Sequence, residues 1–247
     1  MYAKYATGDS WAVVTGGSDG IGLEVCRQLA VEGFNICIIG RTESKIRNAL
    51  QEIHALNPKI KTDCIVFDFG KHASIQDYQE KIAEPLKSKD IGMLVLNAGV
   101  GEPGLIASLE DQALTNQVNV NALQPVYTIK TLLDQIVKRE KRSAIIVVSS
   151  SAARRPIAGM TLYCATKTFA SFIARGLSFE LKDKCDVLAW QPAAIKTKMT
   201  DAFKPDQEVG GALISVKTAV NDLFKQLGKE PVATGNWRHA AMLRMMS

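Results

Sequence analysis

The chain reads as an α/β protein: a doubly wound parallel sheet of about seven strands with helices on both faces. Three observations predict it. Short apolar runs alternate with amphipathic stretches along the whole sequence. A glycine-rich turn joins the first run to the first helix. The 247 residues carry no internal repeat, low-complexity tract or Pro/Gly/Ser linker, so residues 1–247 are expected to form one domain.

Trp11-Ala12-Val13-Val14 reads as a buried strand, and Thr15-Gly16-Gly17-Ser18-Asp19-Gly20-Ile21-Gly22 follows at once. The next stretch places Val25, Cys26, Leu29 and Ala30 on one helix face, with Gly33 as its stop. Ile36 to Ile39 is a second apolar strand, which completes a βαβ unit. A tight turn alone would explain some glycines. Between strand and helix they serve another need, because a pyrophosphate must approach backbone N–H groups at a helix N-terminus and a Cβ would hold it off. A dinucleotide is therefore the expected ligand.

The end of the second strand selects which one. A carboxylate there would hold a ribose 2′-hydroxyl, whereas this chain has Gly40-Arg41-Thr42. A guanidinium can bind a 2′-phosphate, so NADP(H) is favoured over NAD(H). An exposed arginine capping a strand is the plainer alternative, and Asp19 in the glycine turn is a mild complication, because some NADPH enzymes place a basic residue there.

Further strands are expected at about 62–67, 91–97, 144–149 and 185–191, with long helices near 112–137 and 163–181. Ligands of such sheets sit beyond the C-terminal strand ends. On the last of these helices, Tyr163 and Lys167 stand four residues apart and share a face. An ammonium beside a phenol stabilises the phenolate, so the tyrosine's pKa of about 10 is expected to fall toward working pH. A partly buried tyrosine above a surface lysine has the same spacing.

Together these segments resemble the short-chain dehydrogenase/reductase family over nearly the whole chain. Its TGxxxGxG pattern is met by Thr15, Gly16, Gly20 and Gly22, its Asn-Ala-Gly turn by Asn97-Ala98-Gly99, and its helix-borne asparagine by Asn121. Its Tyr-x-x-x-Lys is Tyr163 with Lys167. Its serine lies in VVSSSAA, where the family's spacing of 13 positions before the tyrosine selects Ser150, with Ser149 and Ser151 as neighbours. Its Pro-Gly appears as Pro192-Ala193, a departure, followed by Ile195 and Thr197. WAVVTGGSDGIG, YCATKTFASF and the terminal TGNWRHAAM are most similar to the very-long-chain 3-oxoacyl-CoA reductases and their 17β-hydroxysteroid dehydrogenase relatives.

The resemblance implies a single Rossmann domain with its seventh strand near 232–234, and a substrate-covering segment with the C-terminal tail over 200–247. It implies NADPH-dependent reduction of a ketone, a 3-oxoacyl-CoA first and a steroid or other lipid ketone second. Asn121, Ser150, Tyr163 and Lys167 would be catalytic. The cofactor would lie on Gly16, Ser18, Asp19, Gly20, Ile21, Gly22, Arg41, Asp68, Asn97, Ala98, Gly99, Tyr163, Lys167, Pro192, Ile195 and Thr197. A homo-oligomer built on the two long helices is implied as well. The alternative is a nucleotide-binding structural or regulatory subunit of a larger assembly.

The remaining features bound these expectations. Five scattered cysteines, Cys26, Cys37, Cys64, Cys164 and Cys185, without a CxxC, point to the cytoplasm or another reduced compartment. Cys164 beside the tyrosine reads as a small helix residue rather than a nucleophile. His54, His72 and His239 have no ligand spacing, so no metal is expected. No apolar run approaches a membrane span, and MYAKYATGDS has no secretory core, unlike the membrane-embedded start that the resembled reductases generally carry. The tail from Trp237 to Met246 is expected to cover the substrate cleft or simply end the domain, with contact to a membrane such as the endoplasmic reticulum, or to a partner protein, as the alternative. A net charge of +5 without aromatic support excludes nucleic acid. Arg154, Arg155, Lys196 and Lys198 fall on loops expected to flank the substrate mouth, where they would receive an anionic thioester or merely form a solvated rim. Lys138-Arg139-Glu140-Lys141-Arg142, at the opposite strand ends, reads as a solvated loop.

Overall fold

A computed structural model describes residues 2–198, 200 and 213–245, with side chains described through residue 241. Residues 201–212 of the expected substrate-covering segment therefore lie outside the described residues.

Seven parallel strands form one sheet in the order β3-β2-β1-β4-β5-β6-β7. They are β1 (Ser10–Thr15), β2 (Asn35–Gly40), β3 (Thr62–Val66), β4 (Asp90–Leu96), β5 (Ser143–Val148), β6 (Cys185–Trp190) and the two-residue β7 (Val232–Ala233). Expected and observed strands agree to within a residue at nearly every end. The strands read as continuous apolar runs because both sheet faces are covered. Along β1, Ala12 and Val14 join one core, whereas Trp11 and Val13 join the other.

The first core is closed by α1 (Gly20–Val31), α2 (Glu43–Leu56) and, late in the chain, Val216–Gln226. The second is closed by the short helices α3 (Ile75–Tyr78) and α4 (Glu84–Leu86), then α6 (Gln124–Val137) and α7 (Thr161–Glu180), with α5 (Asp111–Val118) leading into α6. The Val216–Gln226 helix is α8, and Trp237–Met245 is α9. Each fully buried Ile or Leu on these faces contributes about 1.5–3 kcal/mol of transfer free energy.

The long helix expected near 112–137 is two helices joined by a π-turn at Asn119–Leu123, closed by Gln124 N–H donating to the Asn119 carbonyl. The cause is in the sequence. Pro125 cannot supply the N–H that an α-helix would send to the Asn121 carbonyl, and its ring would crowd that carbonyl. One extra residue in the turn relieves both problems. The same solution recurs at Gln79–Ala83, where Pro85 stands in the corresponding place and Glu84 N–H reaches the Gln79 carbonyl.

At the N-terminal strand ends the basic run is not a solvated loop. The Arg139 side chain is only 5% exposed and grips Asp90, donating from Nη2 to Oδ2 at 2.9 Å. It also donates to the Tyr5 carbonyl, to Ser10 Oγ and to Ser143 Oγ at 3.0–3.1 Å. Arg142 pairs with Asp186, which Tyr5 and Lys4 also engage. A buried guanidinium needs this many acceptors, and the ends of β1, β4 and β5 provide them.

Candidate active site

The strand order reverses between β1 and β4, which leaves a crevice at their C-terminal ends. Four hydrogen bonds fix its floor. Thr15 Oγ1 accepts from Asn97 N and Ala98 N at 3.0 Å each, while Asn97 Nδ2 donates to the Thr15 and Gly16 carbonyls at 3.1 Å each. Gly16 and Gly20 adopt φ of +66° and +53°, which favours glycine. Gly22 packs against the glycine turn itself. It does not line the cleft, and a Cβ there would stand 2.3 Å from the Gly16 carbonyl oxygen. Its role is to let α1 close against the turn.

The cleft holds about 620 Å³. It runs from Arg41 and Thr42 past Ser18, Asp19, Gly20 and Ile21, with Asp68 to one side. It ends among Asn97, Ala98, Gly99, Ser150, Tyr163, Lys167, Pro192, Ile195 and Thr197. An extended dinucleotide fits this layout: a glycine-lined bend under a helix N-terminus, cations at one end and a phenol at the other.

The three serines differ in their hydrogen bonds. Ser149 Oγ donates to the Lys167 carbonyl at 2.7 Å, and Ser151 N–H bonds the Pro192 carbonyl at 2.8 Å. Ser150 is the one that bonds the Tyr163 hydroxyl, and its Oγ also accepts from Ala152 N at 3.1 Å. Lys167 is buried beneath them, its Nζ donating to the Val148 carbonyl at 3.0 Å and lying 5.8 Å from the Tyr163 ring centre.

The electrostatics correct one expectation. Burial pushes the Tyr163 phenol up, opposed by the Ser150 hydrogen bond, and Lys167 does not bring it down in this arrangement. Burial lowers Lys167 itself to about 8. The phenol is therefore protonated at neutral pH.

Asn121 is 2% exposed and stands behind the wall. Its Oδ1 accepts from Val100 N at 2.9 Å, and its Nδ2 donates to the Val100 carbonyl at 2.8 Å and to Thr166 Oγ1 at 3.2 Å. It thereby ties the π-turn to the loop after β4 and to α7. Asn119, two residues earlier, donates to the Gly70 carbonyl at 3.0 Å and so fixes the loop that carries Asp68. Sequence reasoning missed Asn119, although its place beside Asn121 on a proline-directed turn was a usable signal.

Asp19 proves less of an obstacle than its charge implies. Lys198 Nζ lies 2.6 Å from its Oδ2, the main cause of a lowered carboxyl pKa, and its Oδ1 accepts from Gly20 N at 2.8 Å. This engagement also breaks up the expected cluster of four cations. Lys198 reaches the glycine turn, and Arg154 Nε donates to Gln191 Oε1 at 3.0 Å beside a separate groove. Arg155 and Lys196 are exposed and do not line the cleft. At the other end Lys45, on the first turn of α2, lines the cleft with Arg41. Neither Arg41 nor Lys45 forms an ion pair among the described residues. Lys45 was legible, four positions after Arg41.

No group of three metal-ligating side chains occurs among the described residues, and no described helix is long and apolar enough to cross a membrane.

Comparison with known proteins agrees with this fold. The family profile described as short chain dehydrogenase matches residues 10–208. The very-long-chain 3-oxoacyl-CoA reductase-B of Danio rerio is 32% identical over 241 residues, which cover 94% of this chain and 76% of that protein. The inactive hydroxysteroid dehydrogenase-like protein 1 of Homo sapiens is 32% identical over 233 residues, 93% and 69% of the two chains. Among solved structures, a 7β-hydroxysteroid dehydrogenase superposes with a TM-score of 0.87 at 20% identity, covering 99% of this chain and 93% of the other.

Proposed function

This chain belongs to the short chain dehydrogenase family of oxidoreductases, and on that premise we propose that it is an NADPH-dependent ketone reductase. Its favoured substrate is a 3-oxoacyl-CoA, with a steroid or other lipid ketone second. One observation carries this reading: Tyr163, hydrogen-bonded to Ser150 and backed by buried Lys167, faces the same cleft as the glycine turn. The Danio rerio relative's name supports the substrate class.

The reduced nicotinamide, when bound, supplies a hydride to the carbonyl carbon. The chain's own residues do the rest. Tyr163 and Ser150 donate hydrogen bonds to the carbonyl oxygen and stabilise its developing charge. Tyr163 then gives up its proton as general acid. Lys167, held on the Val148 carbonyl, keeps a positive charge below the phenol while pH stays under about 8. Pro125 leaves the Asn121 carbonyl without an α-helical partner, which suits it to hold a water that links Lys167 to solvent. Gly16 to Ile21 receive the pyrophosphate, and Asp68 faces the adenine end.

Arg41 with Lys45 would hold the 2′-phosphate. Arg41→Ala is expected to raise KM for NADPH by roughly tenfold to a hundredfold, the value of one charge-assisted contact, and to leave KM for NADH nearly unchanged. An equal rise for both nucleotides in steady-state assays would remove Arg41 from this role.

The human relative named as inactive, as similar as the reductase, favours a second reading: a nucleotide-binding subunit without turnover. Assays across a 3-oxoacyl-CoA chain-length series, followed by steroid ketones, separate the two. Tight NADPH binding without consumption on any substrate would leave the subunit reading.

We also propose a homo-oligomer through α7. Phe169, Phe172 and Phe179 stand 42%, 69% and 72% exposed at helical spacing, with Gly176 between them allowing close approach. Phe172→Glu with Phe179→Glu is expected to halve the mass measured by light scattering; an unchanged mass would place the interface elsewhere. The five free thiols, four of them buried, support a reducing compartment.

A further inference from the structure

His239 had no expected role, yet it is fully buried on α9 against the loop that ends the cleft. Its Nδ1 accepts from Ala193 N at 3.2 Å, and its Nε2 lies 3.3 Å from the Ala194 carbonyl oxygen. A ring that meets an N–H and a carbonyl on consecutive residues must be neutral, with its proton on Nε2. It then grips the backbone at two points, as a neighbouring strand would.

The placement of this ring is fixed from behind. Gly235, at φ +81°, packs so close to Trp190 that a Cβ would stand 2.7 Å from the indole Nε1. Asn236 donates to Asp222 Oδ2 of α8 at 2.6 Å and accepts from Arg238 N at 2.9 Å, which ties the start of α9 to α8. The gripped segment is in turn part of the cleft wall. Ala193 and Ala194 line it, as do Ile195 and Thr197. The Ala194 carbonyl also accepts from Ile214 N at 3.3 Å, and Lys196 N donates to the Ile214 carbonyl at 3.0 Å. His239 thus closes a brace around the nicotinamide end from the C-terminal helix.

We propose that His239 is a positioning residue for the nicotinamide site, acting through the Ala193–Ala194 backbone. This rests on the reading of the cleft as a nicotinamide nucleotide site. The ring is not among the residues that line the cleft; through the backbone it sets the wall against which the nicotinamide ring would be held. Loss of two hydrogen bonds corresponds to about a tenfold effect.

The test compares His239→Phe, which keeps a ring but no polar atoms, with His239→Gln, whose amide offers one donor and one acceptor. Each is compared with wild type for NADPH dissociation constant by fluorescence, for kcat, and for hydrogen exchange at residues 193–196 in the nucleotide-free protein. His239→Phe is expected to weaken NADPH binding and to lower kcat by about tenfold each, with faster exchange at 193–196 and a native circular dichroism spectrum. His239→Gln is expected to recover most of both losses. Unchanged binding and kcat in His239→Phe, or equal damage in the two variants, would overturn the role. So would an unfolded His239→Phe accompanied by a folded His239→Gln that shows no recovery of binding. If wild type bound no nicotinamide nucleotide, the reading of the cleft would fail and this role with it; a binding wild type with an indifferent His239→Phe would sink the role alone.

Discussion

Tyr163→Phe is expected to lower kcat for ketone reduction by about a thousandfold while leaving NADPH affinity within a fewfold of wild type. The substitution removes one oxygen and leaves the ring packing intact. That oxygen is the hydrogen-bond partner of Ser150 and the only phenol on the cleft wall among the described residues. On the proposed mechanism both the proton donor and one oxyanion donor are lost together, which is why the effect would exceed that of either alone. Burial holds the phenol protonated, so the wild-type rate should not depend on forming a phenolate in the nucleotide-free state. The titrating group near neutrality is Lys167, whose pKa burial lowers to about 8. Lys167 is charged below that pH and neutral above it, so kcat for reduction should fall as pH rises through about 8. A rate that climbs across that window would mean that the ammonium is not what supports proton transfer. Steady-state kinetics from pH 6 to about 9.5 would check this.

Arg139→Ala is expected to destabilise the fold by about 3 kcal/mol. Its guanidinium holds the ends of β1, β4 and β5 together through Asp90, Tyr5, Ser10 and Ser143. Removing it leaves the Asp90 carboxylate and several buried oxygens short of a donor; Asp90 is about a third exposed, which keeps the figure at the lower end of the range. Arg139, with help from Ser10 and Thr7, holds Asp90 at about 2. A carboxylate lowered from about 3.9 stabilises the fold above that pH and loses its contribution as pH falls toward 2. Urea melts at pH 7 and pH 3 should therefore show a smaller wild-type-to-variant difference in acid. A variant as stable as wild type at pH 7 would mean that water replaces the network without cost.

The sheet and most of the cleft were legible because they are written in local chemistry. Apolar runs of strand length, the glycine turn from Thr15 to Gly22 and the Tyr163–Lys167 spacing each carry their meaning within a few residues. What escaped was decided by contacts between distant segments. Arg139 looked like one charge in a basic run, and only its meeting with Asp90, 49 residues away, makes it a core residue. Lys198 was expected at the substrate mouth, but it reaches Asp19, 179 positions earlier. The lowered Tyr163 pKa expected from helical spacing failed for a similar reason: spacing gives proximity, whereas burial sets the sign. The π-turns are different, since Pro85 and Pro125 announced them and periodicity alone passed over the signal. His239 could not have been placed from sequence, because nothing near it mentions Ala193 or Ala194.

The most direct measurement is the rate of NADPH oxidation with a 3-oxoacyl-CoA, wild type against Tyr163→Phe, with NADPH binding measured on both proteins. The expected result is turnover by wild type, loss of about a thousandfold in the variant and equal NADPH affinity. Turnover that survives in Tyr163→Phe would contradict the assignment of the proton donor. Wild-type protein that binds NADPH tightly yet reduces neither 3-oxoacyl-CoA nor any lipid ketone would contradict the reductase itself.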